Sequence, residues 1–144
     1  RCRFTDCSDT PISLCRCDNN ILNMIRRPES WASVDWEYSG WGSPAFEMAN
    51  LITHPAYRDV PSSQWQWVID AYCEMVDSGA MAACIRTYWR MLLVWWAARF
   101  ARYLYEVPRG LDERLVARPS DWLTGVQAKY EHYIDWAETL YGEE

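Results

Sequence analysis

Two acidic residues and one amide near the start of the chain are spaced in a way that could support chemistry. Asp18 and Asn23 form an Asp-x-x-x-x-Asn pattern, and Asp35 follows Asp18 by 17 residues (35 − 18). A carboxylate can accept or orient the proton of a hydroxyl group, and Mg²⁺ prefers carboxylate and amide oxygens as ligands. A cleft that joins all three would place a hydroxyl group beside a magnesium-bound phosphate.

A second interpretation of the same residues needs no chemistry. Asp and Asn separated by four residues arise often by chance, and Asp is common in turns. Asp18 and Asp35 would then be ordinary turn residues on either side of a hairpin. Spacing alone does not choose between the two interpretations.

The elements around these residues predict a mainly α fold with one small β-hairpin. Short apolar pieces, 22–25 and 32–36, flank a turn-like Arg-Arg-Pro-Glu-Ser segment, which is typical of a hairpin. A helix is expected from Pro44 to just before Pro55, because proline suits a first helical position and ends a preceding helix.

Three more helices complete the predicted bundle. The second predicted helix begins at a capping box of Ser63 and Gln66. It ends just before Gly79, which would take a left-handed conformation. The next runs from about 81 to about 106, before Pro108 and Gly110, and the last begins near residue 119. Aromatic residues recur along the third helix at the spacing of a buried face, which favours core packing over a ligand pocket. They are Tyr88, Trp89, Trp96, Phe100 and Tyr103.

The charge of the chain indicates which kinds of molecule could bind it. The net charge of −6 argues against nucleic acid as the main partner. Residues 36–80 hold most of the acidic excess, which is typical of solvated helix faces and would also suit a cationic ligand. The acidic residues are Glu37, Glu47, Asp59, Asp70, Glu74 and Asp77, against one basic residue, Arg58.

The chain shows no sign of a membrane or secretory segment. Its most apolar run, 91–98, is far shorter than the roughly 20 residues of a membrane span, and the first fifteen residues do not resemble a signal peptide. The six cysteines match no common zinc spacing. We therefore expect a cytoplasmic protein whose cysteines are reduced, with Cys73 and Cys84 as small core residues.

A longer segment around Asp35 resembles the aminoglycoside phosphotransferase and choline kinase family. Residues 34–49 read Val-Asp-Trp-Glu-Tyr-Ser-Gly-Trp-Gly-Ser-Pro-Ala-Phe-Glu-Met-Ala. The family signature is roughly Ile-Asp-Trp-Glu, a short linker, Gly-Asp-Pro, two residues, then Asp-Leu-Ala. Upstream, Leu-Cys-Arg-Cys-Asp…Asn resembles the family's His-Gly-Asp…Asn loop. The resemblance is clear over residues 14–53, and the later helices are compatible with it.

The resemblance implies a role for each matching residue. Asp18 would be the catalytic base or hydroxyl-orienting group, and Asn23 and Asp35 would be the magnesium ligands. Arg16 and Glu37 are candidates for substrate contact or for support of the site. The cofactors implied are Mg²⁺ and ATP, and the acceptor would be a small molecule with a hydroxyl group.

Four positions depart from the family pattern. Arg16 stands where the family usually has His, and Cys17 where it has Gly. Ser43 and Glu47 replace two aspartates, at positions that we expect to be structural rather than chemical.

The resemblance also implies a domain organisation. The chain would be the C-terminal lobe of a protein-kinase-like fold, with a catalytic and metal-binding segment at 14–53 and a helical subdomain at 61–144. Nothing before Arg1 supplies a nucleotide-covering loop or a phosphate-binding lysine, so the N-terminal lobe is expected to be absent. A lobe without that partner should expose apolar surface and self-associate, and a monomer in light scattering would contradict this. The alternative is a non-catalytic helical interaction domain derived from such a kinase.

Overall fold

A computed structural model describes residues 6–8, 10–112 and 117–142 of the chain. The four strands are β1 (Ser13–Cys15), β2 (Met24–Arg26), β3 (Trp31–Ser33) and β4 (Gly40–Gly42). The four longer helices are α1 (Pro44–Thr53), α2 (Ser62–Met75), α3 (Gly79–Glu106) and α4 (Trp122–Gly142). The predicted mainly helical class with a small hairpin is confirmed. Within the described ranges, no helix has the length and apolarity needed to cross a membrane.

The chain divides into two compact units, and the division falls inside α3. The first unit is Arg1–Trp89 and the second is Arg90–Glu144. All four strands, α1 and α2 belong to the first unit, together with the beginning of α3. The division of the sequence at 14–53 and 61–144 followed motif content and stays a prediction.

The predicted hairpin is present, and its strands are shorter than expected. β2 pairs antiparallel with β3, and Ile25 lies opposite Ala32. Leu22 is not part of the strand, because 21–23 form a 3₁₀ turn whose first residues are held by the Asn20 side chain. Asn20 accepts the N–H of Leu22 at 3.1 Å, a local bond that competes with the strand ladder.

A second strand pair, β1 with β4, did not follow from the sequence. Leu14 lies opposite Trp41, and Cys15 lies opposite Gly40. Each strand has three residues and β4 contains two glycines, so neither has the period or the propensity of a strand. The pairing brings the end of β1, just before Asp18, next to the start of α1.

Helix α1 begins and ends where the sequence indicated. Pro44 occupies the first turn, and the helix stops at Thr53, two residues before Pro55. Its buried face holds Ala45, Ala49 and Ile52, all nearly inaccessible to solvent. The small alanines allow close approach of neighbouring segments, which fixes α1 against β1.

Two predictions about α2 were wrong. The capping box is absent, because the helix starts with Pro61 as its cap and Ser63 lies inside the first turn. Gln66 instead donates to Asp70 at 2.7 Å, one turn further along the helix. The left-handed residue after α2 is Asp77, with φ of 49°, whereas Gly79 is the first residue of α3.

The prediction of fully reduced cysteines was also wrong. Cys7 and Cys84 form a disulfide that links the start of the chain to α3 within the first unit. They are 77 residues apart, so no local spacing pattern could have paired them. Cys84 is nonetheless a core residue, as expected, and Cys15, Cys17 and Cys73 are free thiols.

The predicted core packing of the α3 aromatic residues is confirmed for Trp89 and Phe100, which are buried, whereas Tyr88, Trp96 and Tyr103 are half-buried. Phe100 is buried and lies 5.5 Å, ring centroid to ring centroid, from Tyr133 of α4. Trp96 stacks on Phe100 at 5.6 Å, and Tyr103 lies 5.7 Å from Trp122. Offset and tilted rings at these separations stabilise an apolar interior. In the first unit, Trp89 is likewise buried.

Candidate functional site

The three predicted site residues lie together in the first unit. Asp18 follows β1, Asn23 ends the 3₁₀ turn before β2, and Asp35 comes two residues after β3. The Asn23 amide nitrogen donates to Asp18 Oδ2 at 3.1 Å and to Asp35 Oδ2 at 3.2 Å. One amide group therefore joins two carboxylates that are 17 residues apart in the sequence.

Solvent can reach this cluster. The Asp18 side chain is 26% exposed and Asp35 is exposed, so neither carboxylate is enclosed in the core. A ligand could approach the open side while the chain holds the opposite side. Both carboxylates also keep oxygen lone pairs beyond those that accept from Asn23.

The side chains of the cluster are of types that can bind a hard cation, although the amide is not oriented for it. Asp35 and Asn23 can offer a carboxylate and an amide oxygen, the hard ligands that Mg²⁺ prefers. As the side chain lies, the amide nitrogen of Asn23 faces the carboxylates, so its oxygen would need a turn of the amide group to face the same side. Among the described residues, no three His, Cys, Asp or Glu side chains group as metal ligands.

Two residues of the site hold backbone conformations that L-amino acids seldom adopt. Cys17 has φ of 61° and Asp35 has φ of 63°. Left-handed backbone costs roughly 1–2 kcal/mol in a residue with a Cβ atom, and Asp tolerates it better than most. Cys17 replaces a glycine of the family pattern, and its φ gives a physical reason for glycine at that position.

Glu47 of α1 supports this left-handed turn. Its carboxylate oxygens accept the backbone N–H of Arg16 at 3.2 Å and that of Cys17 at 3.0 Å. Asn50, one turn later on α1, donates to the carbonyl of Cys17 at 3.5 Å. The first two turns of α1 thus hold the segment just before Asp18, in keeping with the structural role expected for Glu47.

Arg16 is buried rather than open to a substrate. Its side chain is among the few buried charged groups, with 7% exposure. The guanidinium donates to the carbonyl of Val34 at 3.5 Å, directly before Asp35. Arg16 therefore links the segments that carry Asp18 and Asp35. The other candidate, Glu37, is exposed in the turn before β4.

The Cys17 thiol is protonated at neutral pH. Burial raises its pKa above the ordinary value, and the charge of Glu47 and the neighbouring Cys15 act in the same direction. A protonated thiol is a poor nucleophile and a poor metal ligand. The contact of Cys17 with α1 is made by its backbone N–H, which Glu47 accepts at 3.0 Å.

Two neighbours of the cluster, His54 and Tyr57, were not found in the sequence. His54 Nε2 lies 3.8 Å from Asp18 Oδ1. The Tyr57 hydroxyl donates to the carbonyl of Asn19 at 2.7 Å and accepts the N–H of Ile21. They follow α1 and are more than 30 residues from the loop in sequence, so no motif or period connected them to it.

No protein-family model, no curated protein and no solved structure matches the chain. The family resemblance accordingly rests on the motif residues themselves.

Proposed function

We propose that this chain is the C-terminal lobe of an ATP-dependent small-molecule phosphotransferase of the aminoglycoside phosphotransferase and choline kinase type. The observation that carries the proposal is the Asn23 amide, within hydrogen-bonding distance of both Asp18 and Asp35. These are the three residues that the motif resemblance assigns to catalysis and metal binding. The hairpin pairing places Asn23 beside Val34, and the same amide also reaches Asp18 across the preceding loop.

In the proposed reaction, Asp18 would accept or orient the proton of the acceptor hydroxyl. The hydroxyl oxygen would bond to the γ-phosphorus of ATP while the bond from that phosphorus to the β–γ bridging oxygen breaks and ADP leaves. Asn23 and Asp35 would hold Mg²⁺, which supplies positive charge beside the phosphates when it is bound. Glu47 and Arg16 act on the backbone around the two aspartates and keep the spacing of their carboxylates.

The proposed acceptor is a small molecule with a hydroxyl group, such as an aminoglycoside, a choline-like amino alcohol or a sugar. Acidic residues at 36–80 support a cationic acceptor, although Glu47 is already engaged with the loop backbone. The other five acidic side chains of this stretch are exposed, namely Glu37, Asp59, Asp70, Glu74 and Asp77. The proposal includes no nucleic-acid and no membrane partner.

Self-association and a cytoplasmic location are also part of the proposal. Large apolar side chains are exposed over 12–41, including Trp31 and Trp41 at 62% and 79%, which supports self-association. ATP supply favours the cytoplasm, and the Cys7–Cys84 disulfide is the observation that weighs against that compartment.

Calorimetry with Mg-ATP tests the proposal. We expect binding that depends on magnesium and is lost in Asp35→Ala, because the variant lacks a proposed ligand. Asp59→Ala is the matched control, since that aspartate is 92% exposed and belongs to the same unit. Retained binding in Asp35→Ala would refute the assigned metal site.

A non-catalytic helical interaction domain is the second candidate function. The exposed apolar side chains of 12–41 favour it, because such surfaces commonly bind other proteins. If the wild-type chain binds no Mg-ATP, the motif resemblance reflects ancestry, and this second candidate is favoured.

A further inference from the structure

The turn that follows α1 contacts the loop between Asp18 and Asn23. It consists of His54 and the 3₁₀ turn Pro55–Tyr57. Thr53, fully buried, anchors its start by donating to the carbonyl of Ala49 at 2.8 Å. The turn is therefore fixed to the core helix on one side and meets the loop on the other.

Tyr57 holds the loop backbone through its hydroxyl group. The hydroxyl donates to the Asn19 carbonyl at 2.7 Å and accepts the N–H of Ile21. The two bonds hold the backbone on both sides of Asn20. Burial raises the pKa of this hydroxyl, so it keeps its proton and stays a donor through the neutral range. Packing alone needs only the ring, which lies 6.0 Å from Trp65, centroid to centroid.

His54 is oriented toward the carboxylate of Asp18. Its Nδ1 accepts the N–H of Ala56 at 3.2 Å. A neutral imidazole that accepts at Nδ1 carries its proton on Nε2. That Nε2 lies 3.8 Å from Asp18 Oδ1, which is longer than a direct hydrogen bond.

We propose that His54 and Tyr57 are positioning residues for the Asp18–Asn23 loop. Tyr57 fixes the backbone of Asn19 and Ile21. His54 places its Nε2 atom 3.8 Å from a carboxylate oxygen of Asp18 and so limits where that side chain can turn. The inference deepens the proposed phosphotransferase function and rests on it for the meaning of the loop. Its physical claim, that the turn restrains the loop, can be tested without nucleotide.

Tyr57→Phe tests the backbone contact. The variant keeps the ring and loses both hydrogen bonds, so we expect the Ile21 amide to exchange with solvent at least about tenfold faster, with the fold retained. Tyr105→Phe is the matched control, because Tyr105 is 57% exposed and lies in the second unit. Unchanged exchange at Ile21 in Tyr57→Phe would overturn the role of Tyr57.

Two substitutions distinguish the role of Nδ1 of His54, which contacts Ala56, from that of Nε2, which faces Asp18. His54→Asn keeps an acceptor near the Nδ1 position for Ala56 and removes the group that faces Asp18. His54→Gln places an amide nitrogen near the Nε2 position. We expect three-bond NMR couplings of Asp18 to show rotamer averaging in the Asn variant and one rotamer in the Gln variant. Couplings that stay as in wild type in His54→Asn would overturn the role of His54.

Nucleotide binding then distinguishes this inference from the proposed function. If wild type binds Mg-ATP, Tyr57→Phe should weaken binding by about tenfold, the loss typical when residues that support metal ligands are removed. Unchanged affinity would overturn the positioning role. If wild type binds no Mg-ATP while the exchange and coupling changes occur, the phosphotransferase proposal fails and the restraint of the loop stands.

Discussion

Asn23 is the residue at which the proposed site is assembled. Its amide nitrogen contacts one oxygen of Asp18 and one of Asp35, at 3.1 and 3.2 Å. Two carboxylates near each other repel, and a polarised N–H group between them offsets part of that repulsion. In the proposed function, a bound Mg²⁺ would offset the same repulsion.

Cys17 shows how a single residue can strain the loop. Its φ of 61° suits glycine, and the family pattern has glycine there. The thiol has a raised pKa caused first by burial, so it does not act as an anion at neutral pH. Its contribution to the site is therefore conformational.

The strain at Cys17 can be measured with two substitutions. Both Cys17→Gly and Cys17→Ala remove the thiol, and only glycine relieves the left-handed backbone. We expect the glycine variant to be more stable than the alanine variant by about 1 kcal/mol. Urea unfolding of the two variants measures the difference. Equal stabilities would mean that the left-handed turn carries no cost.

At the scale of elements, α1 connects the core to the site. One side of this helix buries Ala45 and Ala49. Another side presents Glu47 and Asn50 to the backbone of Cys17. The helix ends at Thr53, and the C-cap residue His54 lies 3.8 Å from Asp18. Because α1 is packed in the core and also bonds to the loop before Asp18, it restrains the backbone of that loop.

Removal of the Glu47 carboxylate tests this connection. Glu47→Ala leaves the N–H groups of Arg16 and Cys17 without their acceptor, so we expect a loss of about 2 kcal/mol in the free energy of unfolding. Glu74→Ala, an exposed residue on α2, should change it by no more than about 0.5 kcal/mol. Chemical denaturation gives both values, and a similar small change in the two variants would contradict the role of Glu47.

At the scale of the whole molecule, the Cys7–Cys84 disulfide closes most of the first unit into one covalent loop. Thr10 also restrains the segment that carries Cys7. Its hydroxyl donates to the Cys7 carbonyl at 2.8 Å and lies 3.3 Å from the Ser43 hydroxyl. Ser43 caps α1, so this covalent constraint lies next to the helix that supports the site.

Loss of the disulfide should destabilise the first unit. A loop of 77 residues corresponds to about 4 kcal/mol through the entropy of the unfolded chain. We expect Cys7→Ser to lower the Tm strongly and to make it insensitive to reductant, while wild type with reductant approaches the variant. Cys73→Ser, which removes a free thiol, is the control. A wild-type Tm that reductant does not change would contradict the bond.

The sequence by itself determined the mainly helical fold and the hairpin, and it predicted Asp18, Asn23 and Asp35 as site residues. Pro44 and Pro55 mark the ends of α1 through local chemistry, and the aromatic period of α3 follows from the need to bury one face. Asp18, Asn23 and Asp35 were identified by spacing and motif, because both are properties of neighbouring residues. Local chemistry misled where two options competed, as at the start of α2 and at its left-handed end, Asp77.

Only the tertiary structure decided which distant residues meet. The pairing of β1 with β4, the bond between Cys7 and Cys84, and the contacts of Glu47, His54 and Tyr57 with the loop all join residues far apart in the sequence. Such contacts depend on how buried faces pack, and no local pattern encodes them. The sequence indicated which residues could do the chemistry, and the packing of α1 and its following turn decided how they are held.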